Sequence, residues 1–322
     1  MSFAPSIRIG TRSSPLARWQ AQWVSDALVD AGRRTELVPI TTRGDVQQLA
    51  PVEQLGTRGV FTKELQRALL ANEIDVAVHS LKDLPTEAVP GLILAAVPKR
   101  ETPLDVVVSR DGSTLTELPA GARIGTGSLR RQSQLLHLRP DLSVSQVRGN
   151  VDTRLRKLDE GQFDALILAE AGLRRLGLAH RVTQVLGPDQ MLPAVGQGAL
   201  GLETRAADHA TREAVAALDH PASHLAVLAE RSLLDSLEGG CLAPIGALAT
   251  IDSTARMRLQ GVVLSRDGFE RLHASVEENL QADVRATAGA DRAIEVGRRL
   301  AAKLLEQGAG SLILAARDER PA

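Results

Sequence analysis

Lys82 and Asp83 stand side by side just after a short apolar run, Val76-Ala77-Val78, and just before Pro85. The β-branched residues read as a buried strand, and the proline takes the chain out of the sheet. A cation and a carboxylate at the carboxyl end of such a strand occupy the place where open α/β sheets hold their chemistry. The carboxylate can stabilise developing positive charge or move a proton. The plain alternative is a solvated turn with a local ion pair.

A second set of residues suits anions. The turns Thr11-Arg-Ser-Ser-Pro15 and Thr126-Gly-Ser128 each lie between a strand and a helix. Backbone N–H groups and hydroxyls at a helix start favour negative charge. Arg12, Arg130 and Arg131 flank these turns; Arg148 and Arg154 follow the next strand and enter the next helix. Only five of the 38 cations are lysine, leaving 33 arginines, which grip carboxylates bidentately. A GC-rich coding bias explains most of that excess, so the clustering after strand ends is the signal.

The elements that position these residues come in two similar passes. Ile7 to Gly10 reads as a strand; Ser13 or Ser14 can cap the helix that follows, with Pro15 in its first turn and Gly32 at its end. Leu37 to Ile40 is a strand, and Thr62 to Asn72 a helix. Between them Thr41 to Gly59 has no sustained period and reads as a lid, a binding loop or a disordered segment. The second pass opens on Arg123-Ile-Gly-Thr126, identical to Arg8-Ile-Gly-Thr11. Helix Leu129 to Leu138, strand Val144 to Val147, helix Val151 to Glu160 and strand Phe163 to Ala169 follow. Two βαβ-rich lobes with parallel-leaning sheets are expected, and such lobes bind ligand in the cleft between them.

Gly196-Gln-Gly198-Ala-Leu-Gly201 is a formal GxGxxG, but a strand rather than a helix follows it, so a dinucleotide site is rejected in favour of a hinge. Helices are expected at Thr211 to Leu218 and Ala222 to Leu237. His220 and His224 read as a helix start, and no metal site is expected. Beyond them the strand patterns are Met257 to Ser265, Leu272 to Glu277 and Leu312 to Ala316, with a helix from Ala290 to Leu305. This is a smaller α+β domain, and the lone Cys241 lies on the Gly-Gly-Cys loop that enters it.

Composition sets the limits. A net charge of −1 and 2% aromatic content with no tyrosine argue against nucleic acid. One cysteine excludes an internal disulfide framework and fits a reducing compartment. Met1 to Gly10 has neither a basic nor an apolar leader pattern, and no apolar run approaches membrane-spanning length. A cytoplasmic chain, a monomer with no membrane partner, is the expectation.

Taken together, the chain resembles the porphobilinogen deaminase (hydroxymethylbilane synthase) family. The likeness runs over nearly the whole sequence, through Arg-Ile-Gly-Thr-Arg-x-Ser-Pro-Leu-Ala, Thr-Arg-Gly-Asp, Ala-Val-His-Ser-Leu-Lys-Asp-Leu-Pro, Gly-Thr-Gly-Ser-Leu-Arg-Arg, Arg-Gly-Asn-Val-x-Thr-Arg, Leu-Pro-Ala-Val-Gly-Gln-Gly and Leu-Glu-Gly-Gly-Cys. The resemblance implies an α/β fold: two βαβ lobes resembling type II periplasmic-binding-protein lobes (1–98 with 199–219, and 103–194), plus a C-terminal domain at 221–322. It implies tetrapyrrole biosynthesis: four porphobilinogen molecules joined head to tail, with loss of ammonia, on a dipyrromethane cofactor bound by a thioether to Cys241. Asp83 would be the catalytic carboxylate that faces cationic intermediates. Lys82, Thr126, Ser128, Arg130, Arg131 and Arg154 would hold the cofactor. Arg12, Ser14, Gln20, Arg148, Arg154 and Arg175 would bind substrate carboxylates. Related enzymes often carry two lysines in the long loop, where this chain has Gln54 and Arg58, so no role is assigned to either. A two-lobed anion-binding or ligand-sensing protein without catalysis is the competing reading; it explains the duplicated turns but not the cysteine loop.

Overall fold

The computed structural model describes residues 6–41, 62–239, 243–280 and 287–318. The chain forms two compact units, Met1–Glu101 with Gly198–His224, and Thr102–Gln197 with Leu225–Ala322.

The first unit holds β1 (Ile7–Thr11), α1 (Pro15–Asp30), β2 (Thr35–Pro39), α2 (Lys63–Leu70), β3 (Val76–Ser80), β4 (Leu92–Ala96) and β10 (Leu200–Arg205), followed by α6 (His209–Ala216). Its five-stranded sheet runs β2-β1-β3-β10-β4. β1 pairs parallel with β2 and β3, whereas β10 runs antiparallel between β3 and β4. Helices cover both faces of β3, with Val76 and Val78 packed among α1 residues and Ala77 among α2 residues, so this run is apolar. Its one polar interior residue, His79, is buried against Glu203 at 3.0 Å, and Gln66 donates to the same carboxylate at 3.1 Å. At the start of α1, Ser14 is the cap, accepting the Ala17 N–H at 3.3 Å, and Pro15 takes the first helical position.

The second unit repeats this plan. It contains β5 (Asp105–Ser109), β6 (Arg123–Gly125), α3 (Leu129–Leu138), β7 (Ser143–Ser145), α4 (Val151–Asp159), β8 (Ala165–Ala169), α5 (Glu170–Arg175) and β9 (Gln184–Leu186). The sheet order is β7-β6-β8-β5-β9, with β6 parallel to β7 and β8, and β5 antiparallel between β8 and β9. Strand for strand this is the first sheet again, with β5 in the place of β10. The parallel-leaning α/β expectation holds, with one antiparallel strand in each sheet.

The same unit contains an antiparallel sheet β11-β12-β13 (Ile245–Ile251, Arg256–Leu264, Arg271–Asn279). Helices α7 (Pro221–Ser236) and α8 (Thr287–Glu306) pack on it through Leu233, Leu259, Val263, Val296 and Leu300. The expected strand at Leu312–Ala316 is instead part of helix α9 (Ala309–Asp318). Its buried residues, Ala309, Ile313 and Ala316, recur at helical spacing, which the short Leu-Ile-Leu run disguises. At the start of α7, His220 Nδ1 lies 3.2 Å from the Ser223 N–H and acts as a cap. Gly196 and Gly198 have φ of +70° and +84°, so the glycines of the GxGxxG serve a turn that feeds β10.

Candidate active site

Parallel β1 and β3 end on one edge of the first sheet, and the residues that follow them are those singled out from sequence. Arg12 and Ser14 follow β1; Lys82 and Asp83 follow β3 in a single 3-10 turn, Leu81–Asp83. The Leu-Lys-Asp-Leu pattern explains the turn. At three residues per turn, Leu81 and Leu84 point the same way, and both are buried. The Leu81 N–H donates to Ala199 O at 3.0 Å, which ties the turn to the start of β10. Lys82 and Asp83 are left half-buried on the opposite side. Among the described residues, the Asp83 carboxylate receives no hydrogen bond and forms no ion pair. Gln20 is buried, and its Nε2 donates to the Ser80 hydroxyl at 2.8 Å, fixing α1 against the end of β3.

In the second unit the turn after β6 is anchored on both sides. Thr126 N–H donates to Ser145 O at 3.0 Å, and the Ser128 N–H donates to Thr126 Oγ1 at 3.2 Å. Ser128 caps α3 by position, yet among the described residues its hydroxyl takes no α3 N–H, an arrangement that suits an anion at the helix start. The turn after β7 carries Arg148, whose Nη2 donates to Gln146 Oε1 at 3.2 Å. Arg154, in the first turn of α4, donates from Nε to Gly149 O at 2.8 Å. Gly149 has φ of +105°, and an added Cβ would meet Thr153 at 2.7 Å, so only glycine fits this bend. Arg175 ends α5, the short helix that continues directly from β8.

Arg130 and Arg131 do not lie on the surface, where helix arginines usually stay. They are 4% and 5% exposed and converge on Asp105, a residue sequence reasoning passed over. Arg130 Nη1 donates to Asp105 Oδ2 at 2.7 Å and to Leu192 O at 2.7 Å. Arg131 Nε donates to Asp105 Oδ1 at 3.0 Å, and its Nη1 to Ile167 O at 2.9 Å. Gln197 Nε2 donates to Asp105 Oδ1 at 2.8 Å. Burial alone would raise the Asp105 carboxyl, but the two guanidinium charges and their hydrogen bonds outweigh it and hold it well below the usual carboxylate range. Burial also pulls the Arg130 guanidinium down from its ordinary value, against the pull of Asp105. The clue to Asp105 was an acid heading an apolar run, Asp-Val-Val-Val, as Asp75 and Asp164 also do. Cys241, Gln54 and Arg58 lie outside the described residues.

Residues 7–213 match the family model for porphobilinogen deaminase, dipyromethane cofactor binding domain, and residues 224–306 match the porphobilinogen deaminase C-terminal domain. The chain belongs to the porphobilinogen deaminase family. It is 50% identical over 315 residues to the porphobilinogen deaminase of Pelotomaculum thermopropionicum, covering 97% of each chain. It is 51% identical over 307 residues to that of Desulforudis audaxviator, covering 95% of this chain and 96% of the relative. Among solved structures, the methionine binding protein MetQ aligns at a TM-score of 0.43 and 14% identity, over 66% of this chain and 89% of that one. Family membership makes this chain an enzyme of tetrapyrrole biosynthesis with a dipyrromethane cofactor, and a two-lobed binding protein without catalysis is not favoured. The second unit suits a cofactor that bears carboxylates: two guanidinium groups share one aspartate, and the Ser128 hydroxyl at the start of α3 makes no cap hydrogen bond.

Proposed function

We propose that Asp83 is the catalytic carboxylate of a reaction that joins four porphobilinogen molecules head to tail into hydroxymethylbilane, releasing ammonia at each step. The observation that carries this role is a half-buried carboxylate, fixed between Leu81 and Leu84 at a strand end, with no cation of the described residues neutralising it. A carboxylate so placed stabilises positive charge that develops on a pyrrole as ammonia departs, and it can hold a proton leaving the ring. Its fixed position means little reorganisation is needed when the charge appears.

Arg12, Ser14, Gln20, Arg148, Arg154 and Arg175 bind the substrate carboxylates in this reading. Gln20 acts through Ser80, since its amide is already engaged there. Lys82, Thr126, Ser128, Arg130, Arg131 and Arg154 hold the cofactor, which Cys241 carries as a thioether. Bound there, the dipyrromethane supplies the pyrrole end from which the product chain is extended. The arginines offset the carboxylates that accumulate as units are added.

The reading includes three domains, 1–98 with 199–219, 103–194 and 221–322, supported by the separate core of the β11-β12-β13 sheet. It also takes the protein as a cytoplasmic monomer; among the described residues no helix is long and apolar enough to cross a membrane. Intact mass tests the reading. Purified protein is expected to exceed its sequence mass by two deaminated porphobilinogen units; protein at its sequence mass that still consumes porphobilinogen would contradict it.

A further inference from the structure

Asp105 is fully buried, and nothing in the proposed reaction requires it. Its position follows from topology. β5 runs antiparallel to β6 and β8, so its first residue lies at the edge where those strands end, and Asp105 pairs with Ala169, the last residue of β8. The sheet therefore delivers a carboxylate from beneath to the two arginines that α3 delivers from above. Four nitrogens converge on it: Arg130 Nη1 at 2.7 Å, Arg131 Nε and Nη2 at 3.0 and 2.8 Å, and Gln197 Nε2 at 2.8 Å.

The charges do not cancel. Two guanidinium groups and one carboxylate leave a surplus positive charge in a site with little access to water, which is costly unless an anion joins it. The cluster still has donors to offer. All the side-chain hydrogen bonds Arg130 makes to described residues leave from Nη1, and its buried Nε has no partner among them. We propose that Asp105 is the resident counter-ion that holds Arg130 and Arg131 in place before the cofactor arrives, and that the cofactor's carboxylates complete the neutralisation. Asp105 is then a positioning residue acting through the arginines. This rests on the reading of Arg130 and Arg131 as cofactor ligands.

Shared arginines make the two sources of negative charge interdependent, which a merely structural aspartate would not be. The test compares thermal midpoints of the loaded protein and the Cys241→Ala protein, each with and without Asp105→Asn, with intact mass reporting the loading. Asp105→Asn is expected to lower the unloaded midpoint more than the loaded one, widening the gap between them by about 4 °C or more. Asp105→Glu, which keeps the charge, is expected to widen it less. Equal shifts in both forms, with the mass excess present, would overturn the role of Asp105 and leave the proposed function standing. Wild-type protein without the excess would overturn both. Should unloaded Asp105→Asn fail to fold, Asp105→Asn combined with Arg130→Gln restores a single surplus charge. Its gap is expected to be no wider than that of wild type, and a wider gap would overturn the proposal.

Discussion

Arg8 grips Asp75 with three donors: its backbone N–H and Nε each reach Oδ2 at 3.0 Å, and Nη2 reaches Oδ1 at 2.8 Å. In the second unit Arg123 grips Asp164 through the same three nitrogens, at 2.8, 3.2 and 3.0 Å. Each clamp joins the amino ends of two parallel strands, β1 with β3 and β6 with β8. It thereby fixes the register at the end of the sheet opposite the candidate chemistry. The repeated Arg-Ile-Gly-Thr sequence thus keeps the clamp at its first residue and the ligand turn after its last.

The clamp makes folding stability depend on acid. Burial would raise the Asp75 carboxyl, but the hydrogen bonds from Arg8 and Arg205 bring it down to about 2, below its ordinary 3.8. A depressed carboxyl contributes stability that is fully present above the ordinary value and is lost as pH falls toward the folded one. Asp75→Asn is expected to cost about 1–3 kcal/mol at neutral pH. It should also flatten the decline in urea midpoint between about pH 4 and pH 2. An unchanged acid slope in the variant would show that the clamp is not what titrates.

Much of this was legible because the chain states its plan twice. The strand ends before Arg12, Asp83 and Ser128 follow from apolar runs closed by turn residues and fall where expected, whereas the strand before Arg148 ends at Ser145 and not at Val147. Asp105 escaped because burial partners depend on which strands become neighbours, and nothing local says that β5 runs backwards between β8 and β9. The burial of Arg130 and Arg131 was not legible for the same reason, since the acid that lets them be buried is 25 and 26 residues away. Leu312–Ala316 was misread because a short apolar run has too few residues to separate a strand period from a helix period.

Cys241→Ala is expected to yield folded protein at its sequence mass with no turnover. A thiol with an intrinsic pKa of about 8.5 forms a thioether far more readily than a hydroxyl would, so Cys241→Ser should retain at most a trace of adduct. Normal mass excess and activity in the alanine variant would move the attachment point elsewhere.

The arginines should divide by role. Arg131→Gln removes a cofactor ligand and two of the four nitrogens on Asp105 while the Arg130–Asp105 pair stays balanced, so loading should fall and folding should weaken by about 1–3 kcal/mol through the lost hydrogen bonds. Arg12→Gln and Arg148→Gln should load fully and slow chain extension. Mass spectra of the purified variants distinguish these outcomes. Bare Arg12→Gln protein beside fully loaded Arg131→Gln protein would reverse the assignment.

The central claim is the charge on Asp83. Asp83→Asn keeps the size of the side chain and removes the negative charge, and the residue ends a turn pinned by Leu81 and Leu84, so folding and cofactor loading should persist. Asp83→Glu keeps the charge one methylene further out and should retain more activity than Asn. The deciding measurement is single-turnover consumption of porphobilinogen by cofactor-loaded Asp83→Asn. The expected rate is lower by about 10²–10³-fold or more, the scale of losing a preorganised electrostatic partner. A rate near that of wild type would make Lys82 and Asp83 an ordinary turn and place the catalytic carboxylate elsewhere.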